Sequence, residues 1–390
     1  MLVRETIAVL LASVALASCC LRLIDGLDEM DAGISCLRGV PAEVTTLAGG
    51  GDGGALSSGV LEARASQVSF TAPTGVALDI SGNVYVSDMG YIKPGGIDRI
   101  DSAGNIFLLT ADVSPGNEGI AVDATGNVYV ANSLFTSIEV TSSLFQGILK
   151  VDPSGNVTTL AGNEQAGYAD GSGGDNGTAR FHFPSAVAVD ASGSLFVADT
   201  ANNRIRKIDT SGNVTTLAGD GDAGFADGTG GPRGTAQFNF PTGVVVDASG
   251  NLYVADEQNN SIRKLDPSGN VTTLAGHPDP GSMYPNVPSN YGDGTGGPDG
   301  TARFLAPWGV ALDGSGNVYV ADYGNGRVRK VDANGNVTTL AGNGTQGFAD
   351  GTLGPSGTAE LDGPVALAVD ACGRVYVADF QTQRIRLITP

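Results

Sequence analysis

One unit of sequence recurs along the chain and constrains its fold more than any other feature. The unit reads Pro-x-Gly-Val-Ala-Val-Asp-x-x-Gly-Asn-Val-Tyr-Val-Ala-Asp, with small replacements between copies. A sequence that repeats in this way predicts an array of similar structural units, each too small to be stable alone. Clear copies begin at Pro73, Pro184, Pro241, Pro307 and Pro364, and a weaker sixth copy runs from Pro115 through Gly119 to Asn132.

Each copy contains two short runs of β-favouring residues, such as Val187–Asp190 and Leu195–Ala198, separated by Asp-x-x-Gly. Glycine in that turn supplies the positive φ angle of a tight hairpin, and aspartate caps the turn's amides. A third run, such as Ile205–Ile208, is followed by a second turn and by Val-Thr-Thr-Leu-Ala-Gly. Four antiparallel strands in each of six units predict an all-β, six-bladed β-propeller.

The two ends of the chain carry complementary parts of one unit. The last copy stops after its third strand, at Ile385–Ile388, whereas an isolated fourth-strand sequence stands at Val44–Gly49. Pairing these two segments would complete the last blade and cover strand edges that otherwise promote aggregation. We therefore expect the propeller to occupy residues 43–390, with its last blade closed by the N-terminal strand.

The amino-acid sequence of the units resembles that of the NHL-repeat family. The resemblance is strongest in Phe183-Pro184, Val197–Asp199, Asn203–Lys207 and Leu217–Gly219, and it covers the chain from about Glu43 to the C-terminus. Known NHL domains are six-bladed propellers, so the resemblance implies the fold that the repeats predict. The Gly-His and Trp-Asp marks of WD40 propellers are absent from the units.

The first residues are typical of an export signal. Arg4 precedes a largely apolar run, Thr6–Leu16, which is too short to span a bilayer and has the length of a signal-peptide core. The following Leu16-Ala17-Ser18-Cys19 resembles the bacterial lipobox, so we predict a signal peptide over residues 1–18 and lipidation of Cys19. An ordinary cleaved signal peptide is the alternative. Residues 19–42 are interpreted as a tether, and the resemblance implies the outer membrane of a bacterial envelope as the location.

Charge and cysteine content bear on partners and on the compartment. The formal net charge is −20, so the surface should repel nucleic acids and anionic lipid headgroups, and membrane contact is expected only through the lipid anchor. An exported compartment permits disulfides. Cys36 lies shortly before the N-terminal strand and Cys372 lies in the turn of the last blade, which predicts a disulfide across the closure. Cys20–Cys36 pairing and free thiols are alternatives.

The variable positions of the repeat predict a binding surface. The connections from the fourth strand to the next first strand are long, as in Asp220–Phe240, and lie on one face of a propeller, where a rigid scaffold usually presents binding residues. Around the channel on this long-loop face, aromatic side chains fall on neighbouring blades five and six, which suits peptide or glycan contact. The candidate binding residues are Trp308, Tyr323, Phe380, His182, Asn239, Asp362 and Glu257. Packing between blades is the alternative role.

Several motifs that resemble chemical sites have structural explanations. Gly219–Gly224 fits Gly-x-Gly-x-x-Gly, but it recurs as a loop of the repeat and carries acids that would repel phosphate. The chain has two histidines, too few for the zinc centre of a lyase that shares this fold. No cofactor is expected, and Ca²⁺ held by loop acids is an alternative. The repeated pairs Asp199/Arg204, Asp322/Arg327 and Asp379/Arg384 are interpreted as ion pairs that hold the blades together.

Two functional hypotheses follow. The first is an exported, lipid-anchored module that binds a protein, peptide or glycan on the long-loop face and is not a catalyst. The second is a propeller enzyme of the lactonase or lyase type with a divalent metal in the channel, for which Asp362, Asn239 and Glu257 are the candidate ligands. The sequence identifies neither the ligand nor the oligomeric state.

Overall fold

Every copy of the repeat folds into an antiparallel sheet of four main strands, and three of the six sheets gain a two-residue fifth strand at the edge. The structure is a computed structural model that describes residues 41–50, 63–65, 68–89, 95–113, 117–133, 145–277 and 291–390. Six such sheets follow one another, and residues 41–390 form one compact unit. The predicted six-bladed β-propeller with four antiparallel strands per blade is therefore confirmed. The predicted signal peptide, Cys19, Cys36 and nearly all of the tether lie outside the described residues.

The strands are numbered in chain order. The N-terminal strand is β1 (Glu43–Gly49). Blade 1 contains β2 (Ala63–Arg64), β3 (Pro73–Leu78), β4 (Val84–Asp88), β5 (Gly96–Ile100) and β6 (Asn105–Thr110). Blade 2 contains β7 (Asn117–Val122), β8 (Val128–Asn132), β9 (Gln146–Val151) and β10 (Val157–Asn163). Blade 3 contains β11 (Gly171–Ser172), β12 (Pro184–Val189), β13 (Leu195–Asp199), β14 (Arg204–Ile208) and β15 (Asn213–Ala218).

The remaining blades repeat this arrangement. Blade 4 contains β16 (Pro241–Val246), β17 (Leu252–Asp256), β18 (Ser261–Leu265) and β19 (Val271–Gly276). Blade 5 contains β20 (Pro307–Leu312), β21 (Val318–Asp322), β22 (Arg327–Val331) and β23 (Val337–Ala341). Blade 6 contains β24 (Gly351–Thr352), β25 (Pro364–Val369), β26 (Val375–Asp379) and β27 (Arg384–Thr389), together with β1. Short 3-10 turns occupy Thr200–Asn202, Glu257–Asn259 and Tyr323–Asn325.

The N-terminal strand β1 closes the ring as predicted. It pairs antiparallel with β27, and the register shifts between Thr46 and Ala48, as it shifts between the third and fourth strands of the other blades. Val44 and Ala48 of β1 are completely buried. The Thr46 hydroxyl donates to Asp350, as Thr216 donates to Asp170 in blade 3. The N-terminal strand thus takes the place of an ordinary fourth strand in every respect.

The core lies between neighbouring blades. The alternating Val, Ala and aromatic residues of each sheet pack against those of the next, so that Tyr129 and Ala131 of blade 2 share a cluster with Val187 and Val197 of blade 3. Burial of both faces explains why the second strands read as continuous apolar runs. Among the described residues, no helix is long and apolar enough to cross a membrane.

The Asp-x-x-Gly turns are held by their aspartates. Asp123 Oδ1 accepts hydrogen bonds from the backbone amides of Thr125 and Asn127, and its Oδ2 accepts from the Asn127 amide and the Tyr129 hydroxyl. Gly126 has a φ of +83°, which other residues rarely adopt. Partial burial opposes ionisation of Asp123, but these hydrogen bonds outweigh it and lower its pKa to about 2. The carboxylates of the turn aspartates therefore accept hydrogen bonds from the turns that they cap, which gives them a structural role.

We expect the propeller to lose stability as the pH falls below about 4. The pKa of Asp123 is lowered from 3.8 to about 2, so its contribution is fully present above the higher value and is lost as the pH falls through the lower one. Denaturant unfolding at stepped pH checks this, and Asp123→Asn should show a shallower acid dependence. A midpoint that stays constant down to pH 2 would contradict this role of the turn aspartates. Hydrogen bonds also lower the pKa of Asp101, Asp152, Asp209, Asp247, Asp266, Asp313 and Asp332.

A buried arginine forms the structural ion pair of blade 5, but it is not the arginine that the sequence predicted. Arg329 is completely buried, and its guanidinium binds Asp322 and Asp293, each at 2.7 Å. It also lies over the rings of Tyr291 and Phe304 and donates to two backbone carbonyls. The equivalent arginines of blades 3, 4 and 6 are Arg206, Arg263 and Arg386.

The arginines that the sequence predicted as ion-pair partners bind backbone carbonyls instead: Arg204, Arg327 and Arg384. Arg204 lies beside Asp199 in the strand pairing, but its guanidinium turns outward and donates to the carbonyls of Asn202 and Asp220. A side chain on Gly221, whose φ is +99°, would collide with this guanidinium. The Gly-x-Gly-x-x-Gly sequence therefore leaves room for an arginine, which explains why it looks like a phosphate loop without being one.

The long connections between the fourth strand of one blade and the first strand of the next contribute to the structure of the sheets. Each runs across to the outer edge of the next blade, where β11 pairs with β15, β24 pairs with β1, and Gly228 exchanges two backbone hydrogen bonds with Val271. Their aspartates bind the buried arginines, as Asp227 binds Arg263. These connections therefore have a structural role, and the prediction that this face presents binding residues stays a prediction. Much of their sequence covers strand edges.

Candidate functional site at the channel mouth

The first strands of all six blades line a narrow central channel. Its wall includes small residues where neighbouring strands approach closely, and a side chain on Gly243 would collide with the Trp308 carbonyl of the next blade. Below them, a ring of aliphatic side chains, each less than 10% exposed, narrows the channel: Val76, Ile120, Val187, Val244, Val310 and Leu367. The space that these residues enclose measures about 430 Å³ when the open solvent at its mouth is included.

One side of the channel mouth is built from hydroxyl groups that bind neighbouring blades. The Ser185 hydroxyl donates to the carbonyl of Thr242, and the Thr200 hydroxyl donates to the carbonyl of Pro241. The Thr242 hydroxyl in turn donates to the Trp308 carbonyl. These side chains are buried and their hydrogen-bonding capacity is used within the protein. This part of the mouth holds the ring together.

The other side of the mouth is aromatic. The rings of Trp308 and Tyr323 lie 5.7 Å apart at an angle of 46°, and both are partly exposed. Phe380 on the next blade packs against the same apolar cluster, which joins blades 5, 6 and 1. The structure thus places Trp308 and Tyr323 in contact and Phe380 against the same cluster. At the equivalent position of Tyr323 and Phe380, blade 3 has the buried Thr200.

Two carboxyl groups belong to the blades on either side of blade 5. Glu257 begins the 3-10 turn after β17, and its Oε2 is buried without a hydrogen-bond partner. Burial raises the pKa of Glu257 to about 7, and the carboxylate of Asp256 adds to the rise. Asp362 precedes Gly363, whose backbone lies against the Tyr323 ring, and burial also raises the pKa of Asp362. Both acids are thus less well solvated than an ordinary surface carboxylate.

The remaining candidates lie on other blades. His182 is exposed on blade 3 and Asn239 is partly buried on blade 4. Their backbone amides donate to Asp199 and Asp256, so the backbone at this position is fixed while the side chain is free to vary. Within the part of the chain that the structure describes, no hydrogen bond or ring contact joins these two side chains to the aromatic pair.

The described residues offer no ready metal site. Among them, no three His, Cys, Asp or Glu side chains lie together in a way that could hold an ion. Cys372 is disulfide-bonded. Its pairing with Cys36 stays a prediction, because Cys36 lies outside the described residues.

Comparisons with known families agree with the blades. The family described as the teneurin NHL domain matches residues 41–226, and the NHL repeat matches residues 238–265 and 304–331. These matched segments are thus similar to NHL-repeat sequences, in agreement with the six antiparallel sheets.

Individual relatives are larger proteins. The chain is similar to Protein SUPPRESSOR OF QUENCHING 1 of Arabidopsis thaliana, with 30% identity over 60% of the chain and 27% of that protein. It is also similar to Teneurin-3 of Danio rerio, with 26% identity over 89% of the chain and 13% of that protein. The chain therefore spans between about an eighth and a quarter of the length of these relatives.

A solved structure shares the fold. An auxiliary nutrient binding protein from Bacteroides thetaiotaomicron superposes with a TM-score of 0.60 and 16% identity, over 89% of this chain and 76% of that one. At this identity the likeness concerns the fold alone.

Proposed function

We propose that the chain is an exported, lipid-anchored binding module that recognises a protein, peptide or glycan at the aromatic part of its channel mouth. The observation that carries the proposal is the contact between Trp308 and Tyr323, two partly exposed rings at the entrance of a rigid ring. Exposed aromatic rings held by a stiff scaffold are typical anchors of binding surfaces, because little entropy is lost when they are covered.

The contrast between the two sides of the mouth supports this proposal. On one side, the buried hydroxyl groups of Ser185, Thr200 and Thr242 donate hydrogen bonds to backbone carbonyls of the neighbouring blade. Trp308, Tyr323 and Phe380 keep part of their apolar surface exposed to solvent. The related propeller described as a nutrient-binding protein is consistent with a binding role, although its likeness is one of fold.

Export and anchoring belong to the same proposal. The apolar run that ends in Leu16–Cys19 is the support for a lipidated Cys19 and for a location on the outer membrane of a bacterial envelope. Radiolabelled palmitate should enter the wild-type chain, and Cys19→Ala should abolish its incorporation. Incorporation that persists in Cys19→Ala would contradict the anchor.

The enzyme hypothesis has less support. It needs oxygen ligands that converge on a metal in the channel, whereas the described channel wall is aliphatic below its mouth. Elemental analysis of the purified chain separates the two hypotheses and also tests Ca²⁺. One tightly held divalent ion per chain would favour the enzyme, and its absence would favour the binding module.

We expect Trp308→Ala and Phe380→Ala to weaken ligand binding by at least about tenfold each, as truncation of a central aromatic anchor usually does. Binding of the purified chain to peptide and glycan arrays provides the measurement. Ile80→Ala is the matched control, since Ile80 is an apolar residue that is 76% exposed in a turn on the opposite face. Ligands that bind both aromatic variants as well as the wild type would place the binding surface elsewhere.

A further inference from the structure

The aromatic pair of blade 5 is flanked by an acid on each side. Asp362 of blade 6 precedes Gly363, and a Cβ atom on Gly363 would lie 3.0 Å from Cε2 of Tyr323. Glu257 of blade 4 occupies the position of Thr200 in blade 3.

The position of Thr200 shows where Glu257 faces. The Thr200 hydroxyl reaches the carbonyl of Pro241, at the start of the next blade's first strand. Because the blades repeat, we infer that the same position in blade 4 lies towards Pro307, the neighbour of Trp308 in β20. Glu257 and Asp362 therefore belong to the two blades that flank the aromatic pair of blade 5.

Among the described residues, no cationic side chain forms an ion pair with either acid. The nearest buried cation in blade 4 is Arg263, whose guanidinium is shared between Asp256 and Asp227, both at 2.7 Å. Oε2 of Glu257 has no hydrogen-bond partner, and the neighbouring Asp256 carboxylate adds a like charge. In blade 6, Arg386 is likewise held by Asp379 and Asp350. A cationic group placed within about 4–6 Å of these acids would favour their ionised forms, which burial disfavours.

The rings of Trp308 and Tyr323 provide the second part of a site for a cation. Tryptophan and tyrosine attract cations to the faces of their rings, because the face of an aromatic ring carries partial negative charge. Two rings that are tilted by 46° form a corner in which one cationic group can touch both.

We propose that the channel mouth binds an organic cation, an ammonium or guanidinium group of the ligand, against Trp308 and Tyr323 and between Glu257 and Asp362. This inference rests on the proposed function and specifies the chemistry of its ligand. The cationic group can belong to a lysine or arginine side chain of a peptide or to a free amine, and the chemistry at the mouth is the same in both cases. The formal net charge of −20 favours the approach of either.

Trp308 allows the proposal to be tested without a label, because it is the only tryptophan of the chain. The purified chain is titrated with acetyl-Gly-Lys-Gly-amide, with n-butylammonium, and with the uncharged acetyl-Gly-Gln-Gly-amide, while Trp308 emission is recorded. We expect both cations to change the emission in a saturable way and to bind at least about tenfold more tightly than the glutamine peptide. Stronger binding of the lysine peptide than of butylammonium would identify a peptide as the source of the cation.

Variants of the two acids isolate their contribution. Glu257→Gln combined with Asp362→Asn should weaken binding of the lysine peptide by at least about tenfold. Asp299→Asn, which removes an exposed carboxylate from the loop before blade 5, is the matched control and should bind as the wild type does. Binding to the wild type should also weaken as the pH falls through about 7, because Glu257 becomes protonated, and Glu257→Gln should flatten this dependence.

The outcomes separate this inference from the proposed function. Equal binding of the lysine and glutamine peptides, or full affinity in the double variant, would overturn the cation site while leaving an aromatic binding surface in place. A Trp308 signal that responds to none of the probes would overturn the cation site as well. The array experiment with Trp308→Ala and Phe380→Ala would then decide the proposed function separately.

Discussion

Deleting residues 1–49 is expected to lower the free energy of unfolding by at least about 5 kcal/mol relative to deleting residues 1–42. The longer deletion removes β1, whose Val44 and Ala48 are completely buried and whose backbone pairs with β27. Burying a valine side chain stabilises a fold by about 1.5–3 kcal/mol, and each net hydrogen bond adds about 1 kcal/mol. Because whole domains are stable by only about 5–15 kcal/mol, the loss should be severe.

The shorter deletion is the matched control. It removes the predicted signal peptide, the tether and Cys36 but keeps β1, so it isolates the strand from the anchor and from the predicted disulfide. Thermal and denaturant unfolding of the two truncated chains provide the comparison. Equal melting temperatures would show that the ring does not depend on its N-terminal strand.

Asp322→Ala should cost about 3–5 kcal/mol, the largest effect that we expect from a single substitution. It leaves the guanidinium of Arg329 completely buried with only Asp293 as a counter-ion. It also removes the acceptor of the Leu305 amide and of the Asn325 side chain. An uncompensated buried charge is more damaging than a lost surface ion pair, because no water replaces the missing partner.

The control for this substitution is Asp299→Ala, which removes an exposed carboxylate near the same blade and should change stability by less than about 0.5 kcal/mol. Denaturant unfolding monitored by circular dichroism measures both variants. Similar costs for the two substitutions would mean that the buried arginine does not depend on its aspartates.

The fold was predictable because the same sequence unit, with its strands and turns, recurs along the chain. Each copy places its turn aspartate and glycine at fixed offsets, and the structure uses both, as Asp123 and Gly126 do. The closure was predictable for a related reason, because Val44–Gly49 has the same sequence as most of the fourth strands. In the structure it also has the same β-bulge. In blade 2, Asn117 takes the place of the proline that begins the other first strands, which explains why this copy is weak in sequence.

The choice of arginine was not predictable from spacing. Arg204 and Arg206 are two residues apart on one strand, so both side chains leave the same face of the sheet. Only the pairing of β13 and β14 places Arg206 opposite Val197, deep enough to reach Asp199 and the loop aspartate Asp170. The loop contact depends on a chain segment from outside the strand pair, which short-range patterns do not reveal.

The site was predictable in part. Equivalent positions of the repeat meet around the channel, so the variable residues Trp308, Tyr323 and Phe380 had to come close to one another. The sequence did not reveal that the long loops are used to cover strand edges, because that pairing joins distant segments such as Gly228 and Val271. It also did not reveal that Glu257 would be left without a partner, which depends on the backbone around it.

The emission of Trp308 tests the central claim most directly, since this single tryptophan stands at the proposed binding surface. When a ligand selected on the arrays is added, the emission should change and saturate with the same dissociation constant as an independent calorimetric titration. The Ile80→Ala variant should behave identically. A ligand that calorimetry shows to be fully bound while the emission of Trp308 stays constant would contradict the account.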